Sequence, residues 1–269
     1  MLDNIGVLFI GDMIGRPGRT ALRRCLPRLR NRYRPSFVIA NGENAAGGSG
    51  ITEEIGNDLL TEVDVLTSGN HVWDKKEALP YLDREPRLLR PANYPPQNPG
   101  KGVFLGSDAK GRKIAVLNLQ GRVFMEALDC PFRTADAEIE RLKKETAVII
   151  VDFHAEATSE KQALGWYLDG RTSAVIGTHT HVPTADERIL PGGTAFITDI
   201  GMAGAWDSVI GIRREQAILK FLSGRPQRFE PEKGRLVLSA VFIEIAADTG
   251  RAISIVRNII TETEDNGEE

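Results

Sequence analysis

The chain has 269 residues, 41% of them hydrophobic and 26% charged, with a formal net charge of −3. This is the ordinary balance of a soluble globular protein, long enough to bury most of its apolar surface, and it gives no bulk electrostatic reason for nucleic-acid or membrane binding. Two cysteines, Cys25 and Cys130, are too few for a disulfide framework, so a reducing cytoplasm is the expected compartment.

The first apolar run, "IGVLFIG" (5–11), stops at Asp12. It is too short for a signal sequence or a membrane span, and no other stretch reaches about 18 apolar residues. It reads as the first of several buried parallel strands rich in Val and Ile. Leu22, Leu26, Leu29 and Tyr33 then repeat at helical spacing. "FVIANG" (37–42) and "VDVLTSG" (63–69) are the next strands, and the Pro-rich "RPANYPPQNPGK" (90–101) reads as an extended surface loop. "KIAVLNL" (113–119), a helix over 135–145, "AVIIVDF" (147–153), a helix over 158–168, "SAVIGT" (173–178), "TAFITDIG" (194–201) and a helix over 213–222 follow. "RLVLSAVFIEIA" (235–246) and "RAISIVRNII" (251–260), joined by "ADTG", carry a hairpin signal, and a hairpin is antiparallel. The expected fold is an α/β sandwich with central mixed sheets flanked by helices. No repeat or internal boundary is visible, so one domain is expected over 1–260, with a disordered acidic tail over 261–269.

In open α/β sheets, ligands bind at the carboxyl ends of strands. The polar residues at those positions are Asp12 in "GDMIG", Glu43 and Asn44 in "NGENA", Asn70 and His71 in "SGNH", His154 in "DFHAE", and His179 and His181 in "GTHTH". All four histidines of the chain are in this group. Each piece alone has a bland explanation as a turn or a satisfied polar residue. Together they point to metal: imidazole suits Zn, Fe, Mn, Co or Ni, while carboxylates suit harder ions. So many donors exceed the needs of one tetrahedral ion and fit two ions sharing a bridging carboxylate. Two ions about 3.5–4 Å apart can hold a hydroxide between them and stabilise the entering and leaving oxygens of a displacement at phosphorus.

The pattern "GD…GEN…GNH…H…GTHTHV" resembles the calcineurin-like metallophosphoesterase superfamily. It is most similar to the bacterial YmdB-like branch of 2′,3′-cyclic-nucleotide phosphodiesterases. The likeness runs from about Asn4 to Arg257, and "GNHVWDK", "RPANYP", "GTHTHVPTAD" and "TDIGMAG" are its most specific phrases. Two departures from the superfamily pattern stand out. Asp12 is followed by Met13 and Ile14 where Asp-x-His is usual, and Glu43 replaces the usual second-motif aspartate. The resemblance implies Glu43 as the bridging ligand, Asp12, Asn44 and His181 on one ion, and Asn70, His154 and His179 on the other. It implies iron, with manganese as the alternative. It assigns His71 as the general acid, since a histidine can protonate a departing ribose oxygen near neutral pH. The implied substrate is a small phosphodiester, a 2′,3′-cyclic nucleotide above all, and a homo-oligomer is expected. A nucleotide- or RNA-binding regulatory protein with little turnover is the alternative reading. A metallo-β-lactamase-type site is disfavoured, because Pro183 and Thr184 stand where that signature needs Asp and His.

Three other features are weaker. Residues 16–34 carry eight arginines, read as the solvated face of an amphipathic helix, with Arg16 and Arg19 nearest the Asp12 loop. Residues 199–211 read equally as a flexible cover over the site or as a connection, and the Gly-rich 42–50 offers either phosphate-binding amides or a simple flexible loop. Trp73 and Trp206 present stacking faces, with packing the favoured reading for both.

Overall fold

A computed structural model describes residues 4–262. Two mixed β-sheets pack face to face, with helices outside both. In the first sheet, β1 (Asn4–Ile10) runs parallel to β3 (Phe37–Asn41), which runs parallel to β4 (Val65–Thr67). On its other side β1 is antiparallel to β12 (Leu236–Ala246). β12 forms the expected hairpin with β13 (Ala252–Glu262), in register from Leu236↔Glu262 to Ile245↔Ala252 with one irregularity beside Glu244. The second sheet has the order β5 (Val103–Ser107), β6 (Lys113–Gln120), β7 (Ile149–His154), β8 (Ala174–Thr178), β10 (Ala195–Ile197) and β9 (Arg188–Ile189). Its inner four strands are parallel and its two edge pairs antiparallel.

Alternation along the strands explains why both faces are buried. Ile5, Val7 and Phe9 of β1 meet Ile114 and Val116 of β6, Ile150 of β7 and Ile176 of β8 in one core between the sheets. Leu8 and Ile10 point the other way, onto Ala21, Leu22, Cys25, Leu26 and Leu29 of α1 (Gly15–Tyr33). Likewise Ala115, Leu117 and Leu119 of β6 pack on Ala135, Ile139 and Leu142 of α4 (Pro131–Leu142) and on Leu164 of α5 (Thr158–Tyr167). The arginines of α1 do occupy its solvated face. Arg23 pairs with Asp58, Arg28 with Glu262 and Arg30 with Glu62.

The structure corrects several local expectations. The helix expected over 135–145 begins earlier, with Pro131 in its first turn where the missing N–H costs nothing, and ends at Leu142. Two short helices, α2 (Glu53–Leu59) and α3 (Ala78–Arg84), have no counterpart in the sequence reading. The run 194–201 is a strand only to Ile197; the chain turns and then forms β11 (Met202–Ala205). The segment 199–211 is therefore no flexible cover, because β11 is buried and pairs with β2 (Asp12–Met13) and β12. The Pro-rich loop is half interior: Arg90, Asn93 and Tyr94 are buried. Thr261 and Glu262 complete β13, so the acidic tail cannot begin at 261; its remaining residues lie outside those described. The last helix, α6, spans Arg214–Ser223. No helix among the described residues is long and apolar enough to cross a membrane.

Candidate metal centre

The core between the sheets turns polar as its strands approach their carboxyl ends. On β3 the inward residues run Phe37, Ile39, Asn41; on β7 they run Ile150, Asp152, His154; on β8 they run Ala174, Ile176, Thr178. Period-two geometry thus brings Asn41, Asp152, His154 and Thr178 together from both sheets, and all four are fully buried.

His154 is the hub. Its Nε2 lies 3.0 Å from Glu43 Oε1, 3.1 Å from Asn70 Oδ1 and 3.0 Å from His179 Nδ1. Donors on adjacent corners of an octahedral ion with bonds of about 2.1 Å lie about 3.0 Å apart, so these spacings suit one coordination sphere. Asp12 adjoins the cluster: one carboxylate oxygen accepts from the His179 backbone N–H at 3.2 Å and the other lies 3.8 Å from His154 Nδ1. Glu43 Oε2 accepts from the His71 backbone N–H at 3.2 Å. Asn44 and His181 make no hydrogen bond to this group. Asn44 donates from Nδ2 to the Gly48 carbonyl at 3.2 Å, and His181 Nδ1 engages the Ile210 carbonyl at 2.9 Å, so Nε2 is the nitrogen of His181 left without a hydrogen bond. Asp12 Oδ1 and Asn44 Oδ1 are buried acceptors without a hydrogen-bond donor. Such atoms cost free energy unless something satisfies them, and a cation does. The donor set fits a metal.

The donors divide by sheet. Asp12, Glu43, Asn44 and Asn70 follow strands of the first sheet and offer oxygen; His154, His179 and His181 belong to the second and offer nitrogen.

Charge follows geometry. Burial pulls the His154 pKa down, but the facing Glu43, Asp12 and Asp152 carboxylates outweigh it and push it up to about 9. Burial alone would raise Glu43; His154 reverses that and holds the carboxyl below its usual range. Asp12 is raised by burial, and Asp152 is pushed by burial to about 6. Burial and the neighbouring His154 lower His179 to about 3, keeping it neutral.

Behind the donors stands a layer that the sequence reading missed. Thr178 Oγ1 donates to Asp152 Oδ1 at 2.8 Å and lies 2.9 Å from His154 Nδ1. That fixes the Nδ1 side of the ring inward and turns Nε2 toward the cluster, the arrangement by which outer partners orient a ligating histidine. Glu156 Oε2 does the same for His179, 3.0 Å from Nε2. Lys161 of α5 pairs with Asp199 at 2.6 Å, both nearly fully buried, and Asp199 accepts the Thr180 N–H at 3.1 Å, anchoring the loop between the two histidines. A polar residue inside the buried run "IIVDFH" was the available signal for Asp152; Lys161 gave none.

His71 sits beside the donors on a half-exposed turn, Asn70–Trp73, with Nδ1 2.8 Å from Asp74 Oδ2. Trp73 packs edge-on against Tyr94, so it is a packing residue, whereas Trp206 is partly exposed beside Arg235. The 42–50 segment is mostly buried, and Arg19 donates to the Ala45 carbonyl.

Comparison with known proteins agrees with this architecture. A 2′,3′-cyclic-nucleotide 2′-phosphodiesterase of Bacillus subtilis (strain 168) is 51% identical over 257 residues, 95% of this chain and 97% of that protein. The crystal structure of a novel phosphatase from Mycoplasma pneumoniae matches with a TM-score of 0.92 at 36% identity, covering 98% of this chain and 96% of that one. That of a hypothetical protein from Thermus thermophilus matches with a TM-score of 0.89 at 43% identity, covering 96% and 100%. The family model for YmdB-like proteins matches residues 8–258, and the chain belongs to the YmdB-like protein family.

Proposed function

We propose that this protein is a metal-dependent phosphodiesterase that opens 2′,3′-cyclic nucleotides. The observation that carries the reading is the convergence on His154 Nε2 of Glu43, Asn70 and His179, each about 3 Å away. Its kinship with the Bacillus subtilis enzyme supplies the substrate class.

Glu43 would be shared by two divalent ions, of which Asp12, Asn44 and His181 would hold one and Asn70, His154 and His179 the other. Bound there, the ions supply Lewis acidity toward phosphoryl oxygens and an activated water. Iron is the ion we assign, with manganese as the alternative. Asp152, Thr178 and Glu156 hold the imidazoles in their ligating orientation. His71, with Nδ1 engaged by Asp74, keeps Nε2 for substrate and donates a proton to the departing ribose oxygen. We place the protein in the cytoplasm, consistent with two free cysteines.

The test is hydrolysis of 2′,3′-cAMP by protein stripped of metal and reloaded separately with Mn²⁺, Fe²⁺, Zn²⁺ or Mg²⁺, with Glu43→Gln as control. Turnover that depends on the ion and disappears in Glu43→Gln is expected. Absence of turnover with every ion, despite bound metal, would overturn the reading in favour of a nucleotide-binding protein. Unchanged metal content in Glu43→Gln would remove the bridging role.

A further inference from the structure

The end of the molecule opposite the metal donors carries a second charged feature. Residues 170–172 and 192–193, which precede β8 and β10, together with the turn between β12 and β13, enclose a cleft of about 360 Å³. Three cationic side chains line it, Lys143, Arg171 and Arg251, and no carboxylate does. Arg171 is paired with Asp136 at 2.6 Å, while Lys143 and Arg251 have no ion pair among the described residues. Of the acids beside it, Asp136 is the partner of Arg171, and Asp169 accepts from the N–H groups of Gly192 and Thr194.

A glycine makes room for one of these cations. The Arg251 guanidinium lies flat against Gly193, where a Cβ would stand 2.9 Å from Cζ, so the glycine lets the cation fold into the cleft. Two unpaired cations, one of them a guanidinium fork, match the charge and acceptors of a phosphate group. The charge count also selects among phosphates. A monoester carries about −1.5 to −2 near neutral pH, matching both free cations, whereas a diester carries one charge. The volume lies at the small end of ligand sites, which run from about 300 to 1,000 Å³.

We propose that this cleft binds the phosphate group of a small phosphate monoester. The cleft shares no residue with the metal donors, and its ligand does not depend on the catalytic reading. Its test is calorimetric titration of inorganic phosphate into the full chain carrying Glu43→Gln, so that binding at the metal donors is suppressed, with and without Lys143→Ala/Arg251→Ala. Both substituted side chains are exposed, and an unchanged melting temperature checks that the fold is intact. Phosphate should bind the Glu43→Gln protein, and the added pair of substitutions should weaken binding by roughly tenfold or more. Equal affinity with and without the pair would overturn the proposal, as would failure of the Glu43→Gln protein to bind phosphate. In an otherwise unaltered chain, Lys143→Ala/Arg251→Ala should leave 2′,3′-cAMP hydrolysis intact; loss of hydrolysis would show that the cleft is no separate site.

Discussion

A Cβ on Gly69 would stand 2.0 Å from His154 Cδ2 and 2.2 Å from its Nε2, so the backbone leaving β4 and the imidazole ending β7 share a space that only glycine leaves open. Gly69→Ala must displace the ring that joins the donors of both sheets. Metal affinity should fall by about tenfold or more, the scale seen when a ligand's orientation is disturbed. Gly42→Ala, whose Cβ would meet nothing closer than 3.4 Å, should bind metal normally. Metal analysis after gel filtration of the two variants checks the contrast; equal metal content would refute it.

His71→Ala should lower kcat by about 10²–10⁴-fold, the usual contribution of a positioned general acid, with metal content unchanged. Its imidazole contacts Asp74 rather than the donor cluster. If the variant loses metal along with activity, His71 is a ligand and the proton comes from elsewhere.

Thr178→Val removes the hydroxyl between His154 and Asp152 at nearly constant volume. It leaves a buried carboxylate oxygen short of a donor, at a cost of about 1–3 kcal/mol in stability. It also frees the ligating ring to turn, which should weaken metal binding about 10–100-fold. Urea unfolding and chelator competition read the two effects separately. A variant matching the parent in both would show that the relay to Asp152 does nothing.

Metal uptake should release protons. A histidine ligates as neutral imidazole, and the carboxylates around the metal-free site hold the His154 pKa at about 9, above the ordinary 6.5. At neutral pH a proton must therefore leave as an ion enters, and apparent affinity should rise with pH until about 9. The sign for the metal-free fold is opposite. Protonated His154 contributes stability that is fully present below the ordinary histidine value and lost as pH rises through about 9. Calorimetric metal titrations in buffers of differing protonation enthalpy count the protons; none released at neutral pH would contradict the assigned charge state.

Lys161→Met should destabilise the protein by about 3–5 kcal/mol, because Asp199 would be left in the interior without its partner. The loop carrying His179 and His181 leans on Asp199 through Thr180, so metal affinity should fall as well. Denaturant midpoints check the first effect, and a loss below about 1 kcal/mol would show that the buried pair contributes little to the fold.

The sequence displays the donors and conceals what supports them. Each donor follows a run of Val, Ile or Leu long enough to read as a buried strand, and the polar break after the run is a local signal. That sufficed to locate Asp12, Glu43, Asn70, His154 and His179 at one edge. The two-residue β2 and four-residue β11 have no readable period, so the pairing that holds Asp12 in place was invisible. Lys161 lies in a helical pattern where lysine ordinarily means solvent. Asn93 sits among prolines that suggest exposure, yet its amide donates to the Gln120 and Asp129 carbonyls and its oxygen accepts the Gln120 N–H. Long-range partners such as these are settled by the packing of distant segments, which local composition does not encode.

The division of the candidate donors between the sheets bears on how the metal proposed above would be acquired during synthesis. The residues through Asn70 emerge first and carry only oxygen ligands, a set suited to hard ions. The imidazoles that favour a transition metal arrive with the second half of the chain. Neither half owns the candidate site, so selectivity for an ion would be a property the polypeptide gains only when its two sheets dock.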